Sequence, residues 1–310
     1  MNTVAVTPRL AELPRSLAEL WEKAEALDRN RALSRSLTLN LLVVTDAVHE
    51  DEMREIVDHL PTQHPCRAVL VVVDEAAGDL RGELTASVRE QGRCRALVLE
   101  KLVLIGDRSQ HPRLPSLIRP LLVNDIPTQL FWGCPLPNSF APLAALAAMA
   151  ERTVVDSALF AGDDWLSLQR GMGRRPLDLS WLRLTPWRQS LAEAFERFTW
   201  SDEPQTRVLI EHGRALGSMW ATRGLQQWLI DKLNAQVRLV GLPGSGPEAE
   251  PWRLQLDCGD VTIQIRHLLN EPALVVDVSL PDRCLLPTRT KAIQSSRAEL
   301  LAAAIDLRTS

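Results

Sequence analysis

A chain of 310 residues is longer than one hydrophobic core usually sustains, so two domains are the expectation. Apolar residues make up 45% and charged residues 24%, an ordinary balance that argues against a disordered or fibrous chain. The formal net charge of −4 and the lack of any apolar run near the roughly eighteen residues of a membrane span argue against nucleic acid and membrane as partners.

Residues 1–13 read as a loose N-terminal arm. From Pro14 a helix is expected, with Leu17, Leu20, Trp21, Ala24 and Leu27 on one face. Leu37–Thr45, Ala68–Val73 and Ala96–Ile105 are nearly unbroken apolar runs, the pattern of strands covered on both faces. Glu50–Leu60 and Asp79–Gln91 lie between them and read as helices. This alternation predicts an α/β fold with a Rossmann-like, mostly parallel sheet and helices on both faces. Leu114–Asn124 is helical in short pieces, because Pro115 and Pro120 interrupt it. Thr128–Trp132 then reads as a strand, Ala141–Arg152 as a helix and Thr153–Asp156 as a closing strand. Helices at Asp163–Met172 and Pro186–Phe198 lead towards a second unit.

That unit begins with a strand at Thr206–Glu211 and an amphipathic helix at Met219–Leu233 bearing Trp220, Leu225, Trp228 and Leu229. Val237–Val240, Trp252–Cys258, Val261–His267 and Ala273–Leu280 follow. Short turns such as Asp257–Asp260 and Leu269–Pro272 suit hairpins, so an antiparallel sheet is expected. Met219–Leu233 and a terminal helix at Thr290–Leu307 would pack on it. Polarity and proline at Ser201–Pro204 mark the boundary between a Rossmann-like domain with trailing helices (14–200) and a C-terminal α+β domain (201–310).

Catalytic signatures are missing. Thr45–Glu50, after the first strand, holds no glycine to admit a pyrophosphate, and neither GxGxxG nor GxxxxGK[ST] occurs. The glycines of Gly241–Gly246 precede an acidic, proline-bounded stretch, so a loop fits better than a phosphate cradle. The histidines 49, 59, 64, 111, 212 and 267 make no ligand pattern, and there is no GxSxG elbow. Asp156 with Ser157 suits a helix cap or a structural ion pair. No cofactor or metal is expected, and the chain reads as non-enzymatic. The cysteines 66, 94, 134, 258 and 284 are widely spaced and odd in number, which fits free, mostly buried thiols. With no charged leader before an apolar stretch at Met1–Arg9, a cytoplasmic location is expected.

The most informative stretch is Asp178–Arg188, which holds Trp181, Arg183, Trp187 and Arg188. Thr185 suits an N-cap and Pro186 the first helical position; Trp187, Leu191, Ala194, Phe195 and Phe198 then make an apolar face. Tryptophan at helical spacing is commonly core, and arginine can hold a carboxylate within the protein. The same residue types are also enriched at interface hot spots. Arg170, Arg174 and Arg175 extend the basic stretch next to Gly171 and Gly173, so a recognition surface, a solvated basic loop and a sugar-phosphate site all remain open.

Four ordered blocks narrow this choice: Arg35–Val44, Val123–Trp132, Glu151–Ser157 and Asp178–Arg188. Together they resemble the glucose-6-phosphate dehydrogenase assembly protein family, OpcA, over about residues 30–298. The resemblance implies a non-catalytic partner that binds the dehydrogenase oligomer and favours its active state. It points to Trp181, Arg183, Trp187, Arg188, Arg174 and Arg175 as contact or supporting positions. It also keeps a redox alternative open, with thioredoxin as a further partner and Cys66, Cys94, Cys134, Cys258 and Cys284 as candidates for a switch. The other reading from the residues is a Rossmann-type protein that binds or acts on a phosphorylated metabolite.

Overall fold

The computed structural model describes residues 2–27, 32–34, 37–90, 95–136, 141–160, 176–198, 206–213, 216–241, 251–268, 271–292 and 295–307. It divides into two compact units, one of Met1–Val155, Leu166–Leu177 and Leu301–Ser310, the other of Asp156–Trp165 and Asp178–Leu300. The expected boundary at Ser201–Pro204, the helix at Asp163–Met172 and the arginines 170, 174 and 175 lie outside the described residues. No described helix is long and apolar enough to cross a membrane.

The first unit is built on a nine-stranded sheet: β1 (Asn2–Val6), β2 (Ala32–Ser34), β3 (Leu39–Asp46), β4 (Cys66–Val73), β5 (Arg81–Glu90), β6 (Arg95–Gly106), β7 (Thr128–Trp132), β8 (Arg152–Val155) and β9 (Leu177–Asp178). The strands β6-β4-β3-β7-β8 are parallel neighbours, so the order reverses between β3 and β7, as in doubly wound folds. Consecutive residues of β3, β4 and β7 are buried, so both faces of this centre are covered. Helices α1 (Leu13–Leu27), α2 (Glu50–His59), α3 (Leu114–Ile118) and α4 (Ala141–Ala147) accompany it.

Two expectations are corrected here. Asp79–Gln91 is not a helix: β5 runs antiparallel to β6 from Arg81↔Ile105 to Glu90↔Ala96. Its burial alternates, with Leu84, Ala86 and Val88 enclosed and Glu83, Thr85 and Ser87 half-buried, which is the period of a strand. Nor is the N-terminal segment loose. β1 pairs antiparallel with β5, and a 3-10 turn at Leu10–Glu12 leads into α1.

Buried polar groups fix the loops of this unit. Asn40, fully enclosed in β3, accepts from the Val123 N–H at 2.9 Å and donates to the Val123 carbonyl at 3.0 Å. Two of the four sequence blocks thus meet through one amide clamp across 83 residues. Arg67 on β4 and Glu100 on β6 form a buried pair at 2.6 Å, and Arg67 also donates to the Leu121 carbonyl at 2.5 Å.

The second unit contains α5 (Leu179–Arg183), α6 (Thr185–Phe195), β10 (Thr206–His212), α7 (Leu216–Leu233), β11 (Gln236–Gly241), β12 (Pro251–Cys258), β13 (Val261–His267), β14 (Ala273–Ser279), β15 (Thr288–Lys291) and the start of α8 (Arg297–Asp306). Its six-stranded sheet runs β11-β10-β12-β13-β14-β15 and is antiparallel except for β10 and β11, which α7 joins as a crossover. Asn234, at φ +47°, ends α7 in the left-handed conformation that asparagine tolerates. The tight β12–β13 turn uses Gly259 at φ +61°. Inward side chains Ile210, Leu254, Leu256, Ile263, Ile265, Leu274 and Val276 share one core with Trp187, Leu191, Leu225 and Leu229 from the helices.

The terminal helix is shorter than expected. Thr288–Lys291 pairs with β14 as an edge strand, and α8 starts only at Arg297. Ser296 and Glu299 explain that start: the Glu299 carboxylate accepts from the Ser296 N–H at 2.7 Å and the Ser296 hydroxyl accepts from the Glu299 N–H at 3.2 Å, a reciprocal capping box.

Candidate functional site

Rossmann-like sheets bind ligands beyond the C-terminal ends of their strands, where helix starts offer free N–H groups. Here aspartates occupy that position. Asp46 ends β3 and accepts from the His49 N–H at 2.9 Å, with the His49 ring Nδ1 at 2.7 Å from the same oxygen. Asp74 follows β4 and accepts from Ala76 N–H at 2.9 Å; Asp107 follows β6 and accepts from Ser109 N–H at 2.8 Å. The first turn of α2 carries Glu50, Asp51 and Glu52, which oppose an approaching phosphate. Across the switch point, Gly133 donates to the Val44 carbonyl at 2.8 Å, and a Cβ there would lie 2.6 Å from the Met53 sulfur. At each of these three turns a carboxylate of the protein itself takes a backbone N–H, and acidic side chains open α2.

A denser polar cluster lies in the second unit. Asp156, fully buried, receives Arg183 through Nη1 at 2.6 Å and Nη2 at 2.8 Å, and Arg297 through Nε at 2.9 Å. It also caps the turn at Ala158 at 3.2 Å. Burial alone would raise its pKa; the two guanidiniums outweigh it and hold the carboxyl below its ordinary range. Asp178 caps α5 through Ser180 N–H at 3.0 Å and accepts from Ser157 N–H at 3.0 Å and Ser157 hydroxyl at 2.6 Å. The third and fourth sequence blocks thus meet here, as the first two do at Asn40.

Asp178 behaves oppositely to Asp156. Burial pushes its pKa up to about 6, Asp156 adds repulsion, and the Ser157 bonds only partly offset both. Because the folded value exceeds the unfolded one, its contribution to stability is complete below about pH 4 and is lost as pH rises through about 6. The Asp156 contribution runs the other way and is lost only in more acidic solution. Asp178→Asn, which can still cap, is expected to flatten the decline in melting temperature between pH 5 and pH 7. Parallel slopes for the two proteins would refute this assignment.

Around this cluster stand the residues singled out in Asp178–Arg188. Trp187 is fully enclosed in the core of the unit. Arg183 is spent on Asp156. Trp181 is half-buried, stands edge-on to Trp228 of α7 with centroids 6.4 Å apart, and lies beneath the Arg188 guanidinium at 4.1 Å. Thr185 is not the cap expected of it: Leu184 holds the N-cap position of α6 without a side-chain bond, and the Thr185 hydroxyl accepts from Arg188 Nη2 at 3.0 Å. The structure thus brings Trp181, Arg183, Trp187 and Arg188 together. Sequence reading gave Arg297 no role, since its link to Asp156 spans 141 residues.

The cysteines do not converge into a described pair. Cys66, Cys134 and Cys258 are buried and free, Cys284 is exposed and free, and Cys94 lies outside the described residues. Burial raises the Cys66 thiol to about 12 and moves Cys134 and Cys258 in the same direction, which disfavours the reactive thiolate.

Comparisons with known proteins agree along most of the chain. The model of the glucose-6-phosphate dehydrogenase subunit N-terminal domain, OpcA, matches residues 57–170, and that of the C-terminal domain matches 175–309. The OxPP cycle protein OpcA of Nostoc punctiforme is 28% identical over 238 residues, covering 73% of this chain and 47% of that protein. Its namesake from Synechocystis is 25% identical over 148 residues, or 46% of this chain and 31% of that one. The chain thus spans about half the length, or less, of these curated relatives. Among solved structures, a levoglucosan dehydrogenase bound to NADH aligns at 9% identity and TM-score 0.49, covering 86% of this chain and 88% of that one. An aldose-aldose oxidoreductase of Caulobacter crescentus aligns at 12% and 0.43, covering 86% and 87%. Likenesses this distant transfer neither ligand nor activity.

Proposed function

Because this chain belongs to the OpcA family of glucose-6-phosphate dehydrogenase assembly proteins, we propose that it is a non-catalytic partner that binds that dehydrogenase in the cytoplasm and favours its active oligomer. The family supplies the partner. The observation that supports binding rather than catalysis is the acidic end of the parallel sheet, where Asp46, Asp74 and Asp107 each take a backbone N–H of their own turn and Glu50, Asp51 and Glu52 open α2. A partner shifts an oligomer equilibrium only by binding one state more tightly, and a tenfold shift needs about 1.4 kcal/mol of differential affinity.

Trp181 and Arg188 are the contact residues in this reading. Trp187 and Arg183 hold them from behind, and Arg174 and Arg175 extend the same stretch in sequence. A redox link through thioredoxin would draw on Cys284, the exposed thiol among those described. The test is to mix the protein with the dehydrogenase of the same organism and follow NADPH formation against glucose 6-phosphate, with co-elution on sizing. A lower KM or a higher kcat with co-elution is the expected result. Sensitivity to reductant that disappears in Cys284→Ser supports the redox link, whereas unchanged kinetics and separate elution defeat the partner reading.

A further inference from the structure

Arg188 differs from the ion-paired arginines of its unit. Arg183 and Arg297 share Asp156; Arg253, Arg266 and Arg289 each reach an acid, at 4.0, 3.5 and 3.3 Å from Glu211, Asp277 and Glu271. Arg188 meets no carboxylate among the described residues. Its Nη2 donates to the Thr185 hydroxyl at 3.0 Å and, more weakly, to the Trp181 carbonyl at 3.5 Å. Its guanidinium carbon lies over the Trp181 ring, 4.1 Å from the centroid. Its Nε is enclosed without a hydrogen-bond partner, and among the described residues Nη1 meets none either.

A half-buried guanidinium without a counter-ion has lost water and gained only neutral acceptors. We propose that Arg188, held over Trp181, is the anchor for an aspartate or glutamate side chain on the partner's surface, received at Nη1; this rests on the partner reading above. Three features favour that occupant. A charged acceptor makes the strong class of hydrogen bond with guanidinium. The start of α6 adds positive potential, since its first turn carries no acidic residue and its N-cap offers no side-chain acceptor. Trp181 itself is steadied from below, edge-on to Trp228 and with Gly224 opposite, where a Cβ would come within 3.6 Å of the indole. Arginine stacked on tryptophan is a fork whose geometry is already set, so little side-chain freedom is lost on contact.

The test is calorimetric binding of the full chain to the dehydrogenase at two salt concentrations, for wild type, Arg188→Gln, Arg188→Glu and Arg188→Lys. The Gln variant should weaken the complex by about tenfold or more and reduce its salt dependence, and the Glu variant should weaken it further. Arg188→Lys should fall short of wild type, because an ammonium lacks the planar donor fork of a guanidinium. Melting temperatures of the free variants report folding independently, and Trp181→Phe gives a second variant that spares the charge and should weaken binding less than Arg188→Glu. If the Gln and Glu variants bind as tightly as wild type, the anchor is refuted and the partner reading stands. If wild type itself does not bind, both fall. A thermal shift of the free protein by inorganic phosphate that vanishes in Arg188→Gln would assign the site to a small anion instead and overturn the proposal.

Discussion

Replacing Asp156 with alanine is expected to destabilise the protein by about 3–5 kcal/mol, because two largely buried guanidiniums lose their shared counter-ion at once. In a unit of this size that corresponds to a midpoint lowered by on the order of 10 °C. The partners should not be equivalent. Arg183→Met removes a bidentate pair but leaves Arg297 on the carboxylate, so its effect should be clearly smaller than that of Asp156→Ala. Urea unfolding of the two variants and wild type measures the difference. Equal losses would mean that the carboxylate depends on Arg183 alone, and a negligible loss for Asp156→Ala would mean that the cluster is not structural.

Trp187→Ala should cost about 3–5 kcal/mol, by cavity formation rather than by charge. The indole is completely enclosed among helix and sheet residues of the second unit, including Leu191, Leu225 and Ile265. Trp187→Phe should recover much of the loss, since it restores most of the volume. The comparison with Trp181 matters for function. Trp181→Ala should disturb stability less, because that ring is only half-buried, but should disturb partner binding more. Dehydrogenase binding measured at a temperature where all variants are folded separates the two roles. Similar binding losses for Trp181→Ala and Trp187→Ala would dissolve the distinction between anchor and support.

The parallel centre was legible because β3, β4 and β7 are covered on both faces and therefore read as apolar runs. β5 was not, because Glu83, Arg89 and Glu90 sit among short polar residues and mimic a charged helix; pairing with β6 and β1 decided its state, and pairing is not written locally. The same distinction holds at the site. Trp187 followed from helical spacing, and a capping or ion-pairing job for Asp156 followed from a carboxylate beside Ser157 with no partner base near it in sequence. Its partners did not, since Arg183 and Arg297 are 27 and 141 residues away. Thr185 shows how a sound local rule yields: its hydroxyl serves Arg188 instead of capping α6.

The aspartates behind the parallel strands bear on how the molecule moves. In a ligand-binding Rossmann fold the turns after the strands stay loose until the ligand ties them, and their amides gain protection on binding. Here the His49, Ala76 and Ser109 amides are tied by carboxylates of their own turns before any partner arrives. Hydrogen exchange at these positions should therefore be slow in the free protein and nearly unchanged in the complex. Any ordering that accompanies association would have to be drawn from other segments, and an exchange map of the free and bound states would show which ones.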